Sequence, residues 1–241
     1  MSGEFLVPDE CLIERVVDVR RLSLGALKPA ERRRFRECVE ELRVVAVVSD
    51  AVLPRYERDE FLVQAVQVFA VRLSSLHSAP FVCGVLQRMT KTFSVVVASN
   101  GREEVFSFAL KRLNRQDAGD VVVVNEFLTD SWICGEFSSG YRRMEEMCSW
   151  GHVVNMTSLF SWYVEVMVRC FIVFHRDLWS GMEGLLERKV WYNTEEVLCL
   201  FGLLQRLVML YAERGRAVTA GEAVRVNGEL KRLYEEIGQV R

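Results

Sequence analysis

One long apolar segment constrains the fold of this chain more than any other part of its sequence. Between Val153 and Phe174 almost every large side chain is apolar. The polar residues of this run recur every three or four positions, as Asn155, Ser158, Ser161, Glu165 and Arg169. That spacing places them on one stripe of a helix, with the charged pair one turn apart, and we expect Glu165 and Arg169 to keep their charged ends in contact with water. A helix that is apolar over most of its circumference is a membrane span or the centre of a large core, and the charged pair favours the core.

Helical spacing of apolar residues predicts further helices on both sides of this central helix. We expect N-terminal helices within residues 9–89, and a C-terminal helical part over residues 138–238. Asn193 and Thr219 each stand directly before an amphipathic stretch, as helix N-caps do.

The region between these helical parts has a different pattern. Thr92 to Ala98 is rich in β-branched residues, Asn100-Gly101 is typical of a tight hairpin turn, and Glu104 to Leu110 alternates. We expect a type I′ turn at Asn100-Gly101 and a further strand at Val121 to Val124. The predicted fold is therefore a single α+β domain over residues 1–241 that is predominantly α. It has a helical core around a central helix at about 153–174, and a small inserted antiparallel hairpin or sheet at about 92–128.

Composition limits the classes of partner and the compartment. A net charge of −2 over 241 residues makes nucleic acid an unlikely partner, and the charged pair in the apolar run argues against an integral membrane segment. The seven cysteines lack paired spacing, and the first ten residues carry acids and Pro8 instead of a basic and then apolar leader. We therefore expect a cytoplasmic or nuclear, reducing location without disulfides.

Motifs for catalysis or metal binding are weak. The three histidines are far apart in sequence, and none forms a short metal-ligand motif with another histidine, a cysteine or a carboxylate. Cys148 and His152 are four residues apart, a spacing that suits thiol activation but is also common in packed helices. We therefore predict no catalytic residue, no metal ligand and no cofactor. An enzyme whose site is assembled from distant residues stays open as an alternative.

One short phrase resembles a known family. Ser149-Trp150-Gly151-His152 stands directly before the apolar central helix, and Trp191-Tyr192-Asn193-Thr194 follows later in the chain. The first phrase resembles the motif that precedes the central helix of Bcl-2 proteins, with His152 in the position of the family's arginine. The resemblance implies an all-helical apoptosis regulator that binds an amphipathic helix in a groove. It makes Trp150, Gly151 and His152 candidate binding residues.

The terminal helix is the second candidate for binding. From Thr219 onward its apolar positions are spaced by three and four residues, at Ala223, Val226, Leu230, Leu233, Ile237 and Val240. Such a stripe must be covered, either by the core of the same chain or by a second chain. Leu230, Leu233 and Ile237 are therefore candidate contacts for a protein partner or a homodimer.

These observations favour a non-enzymatic protein-protein interaction or regulatory protein as the first functional hypothesis. The partner would bind through the C-terminal helix or through a groove near the central helix. Five lysines leave 26 arginines among the 31 basic residues, a skew typical of GC-rich coding such as that of many large DNA viruses. The hypothesis therefore includes a viral accessory or host-interaction factor.

Overall fold

The computed structural model describes residues 3–22, 27–58, 60–114, 120–133 and 139–240, with the side chain of residue 139 left out. The chain divides into two compact units, Met1–Tyr163 and Val164–Arg241. The boundary between them falls inside the central helix. We call them the sheet unit and the helical unit.

The described residues form nine strands and six α helices. The strands are β1 (Leu12–Val16), β2 (Val39–Ser49), β3 (Tyr56–Arg58), β4 (Phe61–Val63), β5 (Ala65–Leu73), β6 (Phe93–Ser99), β7 (Glu103–Leu113), β8 (Val121–Leu128) and β9 (Trp132–Ile133). The helices are α1 (Pro29–Cys38), α2 (Ala79–Met89), α3 (Ser139–Cys148), α4 (Leu159–Phe174), α5 (Thr194–Arg216) and α6 (Ala220–Gln239).

Seven of the strands form one mixed sheet. Its order is β1-β2-β5-β6-β7-β8, and the short β9 pairs with the other end of β7. All neighbours are antiparallel except β5 and β6, which are parallel and are connected through α2. A parallel pair needs such a crossover, and α2 packs on one face of the sheet as a result. The remaining strands, β3 and β4, form a separate two-stranded hairpin.

The prediction of a predominantly helical fold is wrong. The region 9–89, predicted as helices, contributes three strands to the main sheet, and the insertion at 92–128 is the other half of that sheet. The reason lies in strands such as β2 and β5, which are buried on both faces over much of their length. Buried strands lose the polar-apolar alternation, so their valines also matched a helical spacing.

The hairpin itself was predicted correctly, but its turn type was not. Strands β6 and β7 pair antiparallel from Val95 with Phe108 to Ser99 with Glu104. Gly101 has a φ of 86°, which glycine accepts without strain. Asn100 does not have positive φ, as a type I′ turn requires, and its side-chain oxygen instead accepts the amide protons of Arg102 and Glu103.

The two faces of the main sheet are covered differently. On one face α2 packs on the β-branched residues of the central strands, and we call this the α2 face. On the other face Phe93 and Phe108 contact Tyr163 of α4, and Phe106 contacts Phe5 and Tyr141. We call this second face the aromatic face.

The central helix is buried as its sequence predicts. Leu159, Phe160, Tyr163, Met167 and Phe171 are all buried, but the helix begins six residues later than its apolar run. The expectation that its charged pair stays in water is wrong: Arg169 donates to Glu165 at 2.7 Å and both are buried. The guanidinium lies 4.3 Å from the ring centre of Trp191, which covers the charge.

Candidate functional site

The candidate residues that follow α3 lie in a turn of the sheet unit. Trp150 is half-buried, its amide donates to the carbonyl of Phe5 at 2.9 Å, and its ring centre is 5.5 Å from that of Trp162. Gly151 and His152 are exposed. Cys148 is fully buried at the end of α3, so this thiol belongs to the core while His152 faces solvent.

The candidate residues of the terminal helix lie inside the helical unit. Leu230, Leu233 and Ile237 are each no more than 2% exposed. Helix α6 packs against α5, where the hydroxyls of Tyr211 and Tyr234 are 2.7 Å apart. In this conformation the three apolar side chains are not at the surface, and their role in binding stays a prediction.

The helical unit also has an exposed cleft between α5 and α6, with a volume of about 440 Å³. Glu196, Cys199 and Leu203 line one side, and Glu236, Gln239 and Val240 line the other. Glu196 accepts from Asn193 and Glu236 pairs with Arg206, so both carboxylates already have partners.

Two clusters in the sheet unit carry buried polar groups, one on each face of the sheet. The first lies between α2 and strands β6 and β7 and consists of Gln87, Ser94, Ser107 and Lys111. The hydroxyl of Tyr163 joins it by reaching the same strand backbone from the aromatic face. We call this first cluster the polar seam. The Lys111 ammonium donates to the carbonyls of Thr90 and Thr92 at 2.9 and 2.7 Å, and to the Ser94 hydroxyl at 3.1 Å. Burial lowers the pKa of Lys111 to about 7, because the charged form loses its hydration.

The other members of the polar seam also have partners. The Gln87 amide donates to the carbonyls of Ser94 and Ser107, and its oxygen accepts from the Ser94 hydroxyl at 2.9 Å. The pairing of β6 with β7 ends at Val95 and Phe108. Just beyond this pair, the Tyr163 hydroxyl accepts from the amide of Ala109 at 2.8 Å and lies 3.1 Å from the carbonyl of Ser94. The seam thus replaces sheet hydrogen bonds at the point where β6 and β7 separate.

The second cluster lies on the aromatic face. Strand register places five residues side by side across five strands, in the order Glu41, Arg72, Ser99, Glu104 and Trp132. Residues that are paired in this way project from the same face of a sheet. We call this set the charged row.

One end of the charged row borders a cleft of about 180 Å³. The charged residues in its lining are Glu4, Glu14, Glu41, Arg43 and Arg72. Arg43 donates to both oxygens of Glu41 at 3.0 Å, and Arg72 pairs with Glu40 at 3.2 Å. The cleft has room for one side chain and not for a drug-sized ligand.

The backbone is irregular in the wall of this cleft. Glu14 has a φ of 45°, and the pairing of β1 with β2 shifts its register between Leu12 and Arg15. A non-glycine residue in the left-handed region is uncommon and costs free energy, and such residues cluster at binding sites.

Glu104 is the most unusual residue of the charged row. Its side chain is only 1% exposed, and neither carboxylate oxygen has a hydrogen-bond partner among the described residues. Four aromatic side chains form a cluster on the same face: Phe5, Phe106, Trp132 and Tyr141. The ring centre of Phe106 is 6.3 Å from that of Phe5 and 6.0 Å from that of Trp132, and the Trp132 and Tyr141 ring centres are 6.5 Å apart. A buried carboxylate without donors is costly, so this residue demands an explanation.

Sequence reasoning missed the charged row and the polar seam. The one local signal was the alternation in β7, where Glu104 and Lys111 stand at positions that the pattern assigns to a buried strand. The row itself is assembled from five strands, and only their register brings its members together.

The sheet unit is therefore a mixed α/β structure with a charged cleft of side-chain size. The chain belongs to the family described as Domain of unknown function (DUF4391), whose model matches residues 5–237. No curated protein and no solved structure matches the chain.

Two further findings concern the described residues as a whole. In the part of the chain that the structure describes, no helix combines the length and the apolar character needed to cross a membrane. Within those same ranges, no three histidine, cysteine or acidic side chains are grouped so that they could hold a metal ion.

Proposed function

We propose that this chain is a non-enzymatic binding protein that engages a protein partner at the charged row. The observation that carries the proposal is Glu104, a fully buried carboxylate whose two oxygens have no hydrogen-bond partner in the part of the chain that the structure describes. Folding leaves such a group only where its cost is offset elsewhere, and binding sites are one such place. Ser99, the register partner of Glu104, lines the cleft, so the cleft borders the same row of residues.

Charge favours a basic partner. The cleft lining carries three carboxylates (Glu4, Glu14 and Glu41) and two guanidinium groups (Arg43 and Arg72). Glu104 adds a fourth carboxylate on the same face. Four acids against two bases produce a negative local potential, which attracts and orients a positively charged surface.

An enzymatic function is the alternative, and the Ser94–Lys111 pair is the arrangement nearest to it. A serine hydroxyl 3.1 Å from an amine of lowered pKa resembles an activated nucleophile and its base. Both side chains are fully buried, however, and both are bonded to other groups of the polar seam. These contacts support a structural role for the pair.

The Bcl-2-like alternative is not proposed. That resemblance implied an all-helical fold, and the seven-stranded sheet contradicts it.

The test compares two surface glutamates, each paired with an arginine. Glu41→Arg reverses a charge in the cleft lining, and Glu236→Arg reverses one on α6. Proteins that co-purify with each tagged variant from the native cells are quantified against the parent. We expect Glu41→Arg to lose a basic partner that Glu236→Arg retains. If both variants keep the same partners, the charged row is not the binding surface.

A further inference from the structure

The unsatisfied carboxylate of Glu104 indicates which chemical group a ligand of the charged row would carry. A carboxylate that is 1% exposed has lost its hydration, and both of its oxygens are left without donors. An ionised group in this situation is stable only when a cation or several donors approach it. A ligand that supplies both would bind here more strongly than at a solvated glutamate.

Three basic groups of the sheet that share the charged row, line its cleft or lie on the same strand as Glu104 are engaged elsewhere. Arg72 shares the charged row with Glu104 but pairs with Glu40 at 3.2 Å. Arg43 holds both oxygens of Glu41, and Lys111 belongs to the polar seam on the other face of the sheet. None of these three described groups pairs with Glu104, so we expect a ligand to supply the counter-charge.

The aromatic cluster narrows the class of cation. Trp132 is directly opposite Glu104 in the register, and Phe106 is two residues further along the same strand face. Phe5, Trp132 and Tyr141 are half-buried, so part of each ring is accessible on the face that carries Glu104. Aromatic faces attract cations, most strongly when water is excluded, and tryptophan attracts them best.

The two carboxylate oxygens need hydrogen-bond donors, and cations differ in how many donors they offer. A quaternary ammonium donates no hydrogen bond and would leave both oxygens unsatisfied. A primary ammonium is a compact, strongly hydrated point charge. A guanidinium donates two parallel hydrogen bonds to one carboxylate, stacks on aromatic rings and is weakly hydrated.

We propose that Glu104 and the surrounding aromatic cluster recognise a guanidinium group, as carried by an arginine side chain of the partner. This inference rests on the proposed function, because it names the group of the partner that the charged row binds. Ser99 lines the cleft and pairs with Glu104 in the register, so the two residues are neighbours on the aromatic face, although Glu104 itself is not part of the cleft lining. A cleft of about 180 Å³ suits one such side chain.

The experiment uses the full chain and two small probes, methylguanidinium and methylammonium, at equal ionic strength. Binding is followed by NMR of the tryptophan indole N–H groups, with the Trp132 signal assigned from a Trp132→Phe variant. We expect methylguanidinium to shift that signal and to bind at least about tenfold more tightly than methylammonium. Equal or tighter binding of methylammonium would overturn the assignment to a guanidinium group.

Two matched variants link the binding to the carboxylate. Glu104→Gln keeps the shape and removes the charge, and it should abolish methylguanidinium binding. Glu103→Gln changes the neighbouring carboxylate, which accepts from Ser131 at 3.2 Å, and should leave binding unchanged. If Glu104→Gln binds the probe like the parent, the inference is wrong. Tyr141→Leu, at a half-buried ring, should weaken binding without removing the charge and provides a second check.

The failure of this inference can be separated from the failure of the proposed function. If methylguanidinium does not bind, but Glu41→Arg loses a partner that Glu236→Arg retains, the cleft binds proteins through another group. If methylguanidinium binds in a Glu104-dependent way, but Glu41→Arg keeps every partner, the guanidinium site is supported and the protein partner is not.

Discussion

The two faces of the sheet differ in whether their buried charged side chain has hydrogen-bond partners. On the α2 face, Lys111 has three acceptors within hydrogen-bond distance, so each proton of its ammonium has a partner. On the aromatic face, Glu104 is equally buried but has no hydrogen-bond donor within the described ranges. A satisfied buried group specifies the fold, whereas an unsatisfied one costs stability and gains a partner only on binding. This contrast is the reason to assign structure to one face and binding to the other.

The largest expected effect tests the structural side of the comparison. Lys111→Met keeps the approximate side-chain volume but leaves the carbonyls of Thr90 and Thr92 without their donor. Burying two such acceptors unsatisfied should lower the free energy of unfolding by about 3 kcal/mol. Urea denaturation of parent and variant at pH 8 measures this. Lys91→Met, on an exposed lysine two residues before β6, provides the control. A loss no larger than in the control would mean that the seam does not stabilise the fold.

The same lysine predicts a pH dependence of stability. Burial lowers the pKa of Lys111 from 10.5 to about 7, so between these values the unfolded chain binds more protons than the folded one. Stability should therefore rise with pH above 7. The Cys83 thiol acts in the opposite direction: burial raises its pKa from 9.0 to about 12, and its contribution is lost as pH rises above 9.

The effect of Lys111 on stability is therefore best measured between pH 7 and pH 9, where Cys83 contributes little. Across it we expect the free energy of unfolding of the parent to increase by about 1–2 kcal/mol, which is less than the full one-proton slope. The Lys111→Met variant should show a flat profile over the same range. A rise of equal size in the variant would assign the effect to another group.

A smaller loss is expected from the tyrosine that bridges β6 and β7. Tyr163→Phe keeps the ring contacts with Phe93 and Phe108 but removes the hydroxyl that bonds to Ala109 and Ser94. The buried amide of Ala109 then lacks an acceptor, which should cost about 1–2 kcal/mol. Thermal denaturation measures the change. Tyr192→Phe, at an exposed tyrosine, should change stability by much less.

The comparison also shows which parts of the molecule the sequence could reveal. Local signals sufficed for the turn at Gly101 and for the cap of α5, where the Asn193 side chain accepts from the amides of Glu195 and Glu196. They also sufficed for the start of α6 at Thr219, where the structure adds a capping box with Glu222 that was not predicted. Each of these depends on residues a few positions apart, so sequence spacing contains the information.

Features that depend on residues far apart in the sequence could not be predicted from local spacing. Strands β2 and β5 carry apolar residues on both faces, and this pattern does not distinguish a buried strand from a helix. The charged row depends on the register of five strands, which residue spacing along one strand does not determine. The burial of the Glu165–Arg169 pair depends on Trp191, a residue more than 20 positions away.

The smallest expected effect has the opposite sign, and it tests the binding side of the comparison. Glu104→Leu removes a buried charge that has no partner, and replaces it by an apolar group among aromatic rings. Unlike Lys111→Met, it leaves no group of the fold without its hydrogen bond. The free energy of unfolding should therefore stay the same or rise by about 1 kcal/mol.

Glu103→Leu provides the control for that substitution, because it alters the adjacent, less buried carboxylate and should stay within about 0.5 kcal/mol of the parent. Urea denaturation of the three proteins in one buffer gives the comparison. A loss above about 1 kcal/mol in Glu104→Leu would show that the carboxylate is bonded within the fold. The aromatic face would then be structural like the α2 face. A gain in stability together with a loss of binding would instead identify Glu104 as a residue kept for its partner, since function is the usual reason for retaining a destabilising group.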